Sequence, residues 1–170
     1  MKQISKFFAL AIVMLAFTVS TFAQTSATAT ATATIITPIS IAKTVDMNFG
    51  NVAVNASLGT VVLTPAGVRS VTGGCTLPAV AGTVAAASFT VSGLATSTYA
   101  ITLPAAATTI SFGANNMTVD TWTSTPTPAG TLGAGGTQTL TVGATLHVAA
   151  SQAPGTYVSA VPFTVTVNYN

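Results

Sequence analysis

The sequence predicts an all-β domain, an antiparallel β-sandwich of about nine short strands. Apolar residues recur at every second position through short runs, which is the period of a half-buried strand. Gly, Pro or Asn interrupts these runs at short intervals, as in a sandwich or a barrel. No helical stripe of useful length follows the N-terminal segment.

The first 23 residues predict a signal peptide, residues 1–23, rather than part of the fold. Lys2 and Lys6 precede an apolar run from Phe7 to Phe17, and Thr21-Phe22-Ala23 has the small-x-small pattern of a cleavage site. A bilayer span needs about 20 apolar residues, so a transmembrane anchor is the weaker interpretation. We therefore expect an exported protein of the periplasm, cell surface or extracellular space, with no transmembrane segment in the mature chain.

Charge is scarce in this chain. Charged residues make up 4% of the sequence, against about a quarter in ordinary globular domains. Residues 24–170 carry Lys43 and Arg69 against Asp46 and Asp120, and are formally neutral. Such a surface has no electrostatic footprint for nucleic acid, and it offers little repulsion between copies of itself.

Residues 24–37 form an extension in which alanine and threonine alternate. One parity carries small apolar side chains and the other hydroxyls: Ala27, Ala29, Ala31, Ala33 and Ile35 on the first, Thr28, Thr30, Thr32 and Thr34 on the second. This pattern predicts a strand whose apolar face buries too little area to make it stable alone. Such a strand needs the edge of another sheet to pair with. Pro38 separates it from the predicted sandwich domain, residues 38–170. We expect the extension to form a strand in trans.

The predicted strands of the domain follow one another with turn residues between them. Pro65, Gly67, Gly73-Gly74, Pro104 and Gly113 mark some of these turns, and a Pro- and Gly-rich loop spans Ser124 to Gly136. The alternating or apolar runs, in order, are 39–49, 60–64, 68–72, 83–91, 99–103, 108–112, 117–122, 138–149 and 157–169.

Two groups of aromatic and aliphatic residues are candidate binding elements. The last run places Phe163, Val165, Val167 and Tyr169 on one parity. Trp122 lies on the parity opposite Met117 and Val119, which leaves two interpretations open: an outward indole, or a tryptophan that anchors the core or a loop. An outward indole on a nearly uncharged sandwich could stack on a sugar ring, and Trp122 is therefore a candidate glycan site.

Nothing in the sequence has the pattern of an enzyme active site. His147 is the single histidine, and a catalytic triad would need it beside Asp46 or Asp120 together with a nucleophile elbow that no serine shows. We expect His147 to be a solvated strand residue. Ligand-type residues are single and scattered, and the glycine pairs lack the features of phosphate loops, so we predict no metal and no cofactor.

The lone cysteine is predicted to be structural. Cys75 cannot form an internal disulfide, because the chain has no second cysteine. We expect it to be a small buried hydrophobe, with an exposed thiol for an intermolecular bridge as the alternative.

Two ordered series of short motifs resemble the DUF4402 family of exported bacterial proteins. The first comprises residues 46–52, 59–65 and 69–74, and the second residues 142–157 and 163–169. The family is more distantly similar to the pilin and spore-coat-protein-U-like adhesin sandwiches of chaperone–usher systems. That resemblance implies an immunoglobulin-like, pilin-like sandwich completed by a neighbour's N-terminal strand, with like subunits or an export chaperone as partners. It also implies an assembly role for the C-terminal alternation that ends at the penultimate Tyr169.

These observations give one leading functional expectation and two alternatives. The leading one is an exported structural or adhesive surface protein, a pilin-like subunit that assembles by strand addition. The first alternative is a secreted carbohydrate-binding module centred on Trp122. The second is an accessory periplasmic protein with no assembly role.

Overall fold

Across residues 24–170, the part of the chain that the computed structural model describes, β-strands and loops form the whole fold, without a helix. The all-β prediction is confirmed, whereas the predicted signal peptide lies outside the described residues. Nine strands have four residues or more, and three are shorter. The strands are β1 Ser40–Val45, β2 Asn48–Phe49, β3 Ala53–Leu63, β4 Arg69–Thr76, β5 Val84–Ala85, β6 Ala87–Ser92, β7 Thr98–Thr102, β8 Thr108–Phe112, β9 Asn115–Thr125, β10 Ala129–Thr131, β11 Thr137–Val148 and β12 Thr166–Tyr169.

The largest sheet has seven antiparallel strands organised around β11. One edge of β11 pairs with β9 over residues 141–147, and β8 continues the sheet beyond β9. The other edge pairs with β6 over residues 137–142 and then with β3 over residues 144–148. Beyond these two strands lie β1 and β4. A single strand therefore organises two halves of the sheet.

Gly143 lies between the two halves of β11, and the packing there requires glycine. A Cβ atom on Gly143 would overlap the carbonyl oxygen of Leu63 and the backbone of Thr64 and Pro65. Glycine has no such atom, so the two strands can approach closely at this point.

A second sheet of three strands, β10-β7-β12, completes the sandwich. Between the two sheets lies a core cluster to which β6, β7, β11 and β12 all contribute. Its members are Ala87, Val91, Tyr99, Leu132, Leu140, Val142, Val165 and Val167. Burial of this apolar surface is the main favourable contribution to the fold.

A second cluster lies within the concave side of the large sheet. It comprises Val61, Cys75, Val119, Ala144, Leu146 and Val148, which come from β3, β4, β9 and β11. Because all four strands belong to one sheet, the sheet curls around this cluster. The predicted burial of Cys75 is therefore correct, since only 3% of the residue is exposed.

A bulge in β9 reverses the direction of the side chains that follow it. Gly143 pairs with Thr123 and Thr145 pairs with Asp120, so that Thr121 and Trp122 together face Ala144. Thr121 adopts a φ of 50°, the left-handed conformation that such bulges use. The extra residue turns Trp122 to the inner face with Val119, so Trp122 anchors the core and does not take the outward direction that its parity indicated.

Several predicted boundaries also differ from the observed ones. Gly73-Gly74, predicted as a turn, lies inside β4, where Cβ atoms on these residues would overlap the carbonyl oxygens of Leu58 and Ser57 in the preceding strand. The last run, predicted to begin at Tyr157, is a continuous strand only over Thr166–Tyr169. Before it, residue Val158 forms an isolated bridge with Ser111.

Candidate functional site

The alternating extension has no strand partner within the described chain. Residues 24–38 are exposed throughout, and none of them belongs to a strand. Ile35 is 93% exposed although it is one of the most apolar side chains in the protein. Residues 35–170 form one compact unit, and residues 24–34 lie outside it. The apolar face of the extension is therefore exposed; it is formed by Ala27, Ala29, Ala31 and Ala33.

The two larger sheets end in edge strands whose outer side is unpaired or paired at a single position, while β2 and β5 form a separate two-stranded sheet. In the small sheet, the amide of Asn170 donates to the carbonyl of Thr98 at 3.4 Å, which shows that even-numbered residues of β12 face β7. Hydrogen-bonding direction alternates along an antiparallel strand, so the N–H and C=O of Val167 point to the outer edge. In the large sheet β1, β4 and β8 are edge strands.

The C-terminal alternating residues serve the protein's own core. Val165 and Val167 are buried in the cluster between the sheets, and Phe163 packs against it. The Tyr169 hydroxyl donates to the carbonyl of Thr37 at 2.8 Å and accepts from the amide of Leu94 at 2.6 Å. The side chains of Val165 and Val167 therefore belong to the domain's own core.

Trp122 is anchored on the inner side of the sandwich. Its ring lies 4.5 Å from that of Phe163, centroid to centroid, with the planes inclined by 37°. Its indole N–H donates to the carbonyl of Ala106 at 3.4 Å. The partly buried side chain packs against both core clusters.

The structure brings His147 and Asp120 together on the outer face of the large sheet. The imidazole Nε2 lies 2.8 Å from Oδ1 of Asp120, and the two side chains are 46% and 38% exposed. The hydrogen bond from His147, followed by one from the Thr121 hydroxyl at 2.9 Å, lowers the pKa of Asp120. The sequence placed His147 outward, but it did not show which aspartate would be its neighbour.

A cleft of about 430 Å³ lies beside His147, lined by residues of β3, β8, β9 and β11. Thr60 is one of the threonines paired with His147 across the sheet. Its hydroxyl forms a hydrogen bond with the hydroxyl of Thr72, 2.7 Å away. Among the described residues, the His147 imidazole forms its side-chain hydrogen bond with Asp120. Residues 24–170 also contain no group of three or more metal-ligating side chains.

Cys75 is shielded from solvent within the curled sheet. Its side chain packs in the cluster of Val61 and Val119, and a Cβ atom on Gly59 would overlap its sulfur. Burial raises the pKa of the thiol, which keeps it in the unreactive, protonated form.

Comparison with known proteins identifies the family. The model of a family described as Domain of unknown function (DUF4402) matches residues 39–169, most of the chain. No curated protein matches, and no solved structure matches. The chain belongs to the DUF4402 family. No helix within residues 24–170 is long and apolar enough to cross a membrane.

Proposed function

We propose that this DUF4402 protein is an exported structural or adhesive surface protein whose copies assemble by strand addition through residues 24–36. The observation that carries the proposal is the extension itself, which is extended in pattern, exposed, and unpaired with any strand of the described chain. Edge strands of both sheets offer unpaired backbone groups as a complement. Strand addition would pair the backbone of the extension with the backbone of an edge strand.

The energetics favour pairing with another molecule over an isolated extension. Each alanine methyl contributes about 0.8 kcal/mol when buried, whereas ordering the backbone of one residue costs about 1–2 kcal/mol. The side chains of Ala27 to Ala33 therefore cannot order the segment unaided. A ladder of hydrogen bonds to an existing strand adds a net contribution of about 0.5–1.5 kcal/mol for each bond.

The charge distribution also supports close packing of identical copies. Lys43 pairs with Asp46 at 2.6 Å, and Arg69 donates to the carbonyl of Asn51 at 2.9 Å. The two cations of the described chain thus have local partners. With four formal charges in residues 24–170 and a net charge of zero, little electrostatic repulsion keeps neighbouring copies apart.

Deletion of residues 24–36 tests the proposal. The mature chain should form linear multimers in negative-stain electron microscopy and in light scattering, whereas the truncated chain should stay folded and monomeric. A synthetic peptide of residues 24–36 should bind the truncated protein. A peptide of the same composition with its alanines grouped together is the matched control, because it lacks the two-faced pattern.

Two results would contradict the proposal. Multimers that persist after the deletion would assign assembly to another surface. A mature chain that remains monomeric at every concentration would instead support the accessory role without assembly. The glycan-binding alternative gains no support from Trp122, whose ring is engaged with Phe163 and both core clusters.

A further inference from the structure

The outer edge of β8 is paired at one position only. Ser111 and Val158 exchange two backbone hydrogen bonds, of 2.9 Å and 3.1 Å, outside the regular strands. The N–H and C=O of Ser111 therefore point away from β9. Because this direction alternates along an antiparallel strand, those of Thr109 point away from β9 as well. Thr109 is exposed, and its outward-pointing N–H and C=O have no hydrogen-bond partner among the described residues.

The segment after Val158 leaves β8 where a second pair would be expected. In a continued register Ala160 would face Thr109, and Pro162 would face Ala107. Pro162 has no N–H to donate, so the ladder cannot extend that far. A cleft of about 430 Å³ separates β8 from this segment, and its lining is uncharged and contains no aromatic side chain: Ala107, Thr108, Thr109, Ser111, Ala160, Val161 and Pro162.

We propose that this cleft is the acceptor site for residues 24–36 of a second copy of the chain. The proposal rests on the proposed function and names the edge at which strand addition occurs. The incoming strand lies between β8 and residues 160–162 and exchanges backbone hydrogen bonds with Thr109. The sheet thereby gains a strand beyond β8.

The two faces of the extension match the two faces of β8. Ile110 packs against the cluster inside the curled sheet, while Thr109 and Ser111 belong to the opposite face of the strand. Residues directly opposite one another in a sheet share a face, so a threonine of the extension opposite Thr109 brings its neighbouring alanines to the level of Ile110. This arrangement places hydroxyl beside hydroxyl and apolar beside apolar.

The size of the side chains in the extension suits this cleft. The lining of the β8 cleft contains no aromatic side chain, so a strand of alanine and threonine fits without bulky anchors.

Substitution of Thr109 tests the acceptor edge. Thr109→Pro removes the outward-facing N–H, and proline is tolerated at such edge positions. Thr109→Ala is the matched control, because it keeps both backbone groups and loses only the hydroxyl. We expect Thr109→Pro to reduce the multimer fraction at least tenfold and Thr109→Ala to preserve it, with unchanged circular dichroism in both.

Disulfide trapping tests the same edge without a change of backbone. In a Cys75→Ala background, a chain with Thr30→Cys or Thr32→Cys is mixed with a chain carrying Thr109→Cys and oxidised. Paired Cα atoms lie about 5.5 Å apart, within the reach of a disulfide. Two donor positions are used because the repeat can slip by two residues without changing its faces. Asn168→Cys on β12 and Ala42→Cys on β1 are the comparison acceptors.

The outcomes separate this inference from the function on which it rests. Cross-linking to position 109, with little at 42 or 168, supports the β8 edge. Cross-linking at 42 or 168 in multimers that still need residues 24–36 overturns the β8 assignment and leaves strand addition standing. Multimers that form equally well with Thr109→Pro also overturn it. If the unsubstituted mature chain forms no multimers, both the β8 assignment and the proposed function are refuted.

Discussion

The hydroxyl of Tyr169 donates to the carbonyl of Thr37, 2.8 Å away, and so joins the end of the last strand to the residues that precede the first. The same hydroxyl accepts from the amide of Leu94, in the connection between β6 and β7. Three segments that are distant in sequence thus meet at one oxygen atom. Thr37 is the last residue of the extension, and this hydrogen bond ties it to the sandwich.

Replacement of Tyr169 by Phe should loosen that junction. The loss of two hydrogen bonds, each contributing about 0.5–1.5 kcal/mol, should lower the free energy of unfolding by about 1–3 kcal/mol. Denaturant unfolding measures this change, and amide exchange of Leu94 should accelerate. Tyr157→Phe is the control, since its hydroxyl likewise donates to Ala153 and accepts from Gln152, both at 2.8 Å. Unchanged exchange at Leu94 in Tyr169→Phe would contradict the prediction.

Gly143→Ala should destabilise the fold because the added methyl meets the backbone. The Leu63 carbonyl and the start of the following turn cannot move aside without disturbing the β3–β11 pairing. Overpacking of this kind costs about 1–3 kcal/mol. At Gly135 a Cβ atom would meet no other atom within 4 Å, so Gly135→Ala should change stability by less than about 0.5 kcal/mol. Equal effects in thermal unfolding would show that the close approach at Gly143 is unimportant.

The pair of Asp120 and His147 predicts a pH dependence. The pKa of Asp120 is lowered in the folded protein, so its stabilising contribution is present above the ordinary carboxyl pKa of about 4 and is lost as pH falls through the folded value. Both side chains are well exposed, and the contribution should stay below about 1 kcal/mol. His147→Ala should raise the Asp120 pKa toward its ordinary value, as measured by carboxyl carbon NMR.

Lys43→Ala is the control for this titration, because it removes the separate ion pair with Asp46. It should leave the Asp120 titration unchanged. An Asp120 pKa that does not move in His147→Ala would show that the Thr121 hydroxyl, rather than the imidazole, sets it.

Cys75 should resist thiol reagents in the folded protein. The sulfur is buried and the raised pKa keeps it protonated, so labelling should require unfolding. Mass spectrometry after exposure to a maleimide should show less than stoichiometric modification under native conditions and complete modification in denaturant. Rapid labelling of the native protein would favour the alternative of an accessible thiol for intermolecular bridging.

Alternation along the chain was sufficient to predict the class of fold but not the direction of every side chain. Val91, Leu140, Val165 and Val167 are buried as their parity indicates. Trp122 violates its parity because the bulge at Thr121 inserts one residue into β9. Val45 is 42% exposed although it shares the parity of Ile41, since a register shift follows Lys43. The position of a bulge depends on the pairing with the partner strand, and the local sequence does not identify that strand.

The sequence by itself determined the all-β class, the two-faced extension before Pro38, the scarcity of charge and the burial of Cys75. Each follows from side-chain chemistry and period alone, which are properties of neighbouring residues. Only the tertiary structure decided that Asp120 would lie beside His147, that Trp122 would turn inward, and that β8 would keep an open edge at Thr109. These features depend on which strands pair and in what register, and hydrogen bonds between distant segments fix that choice.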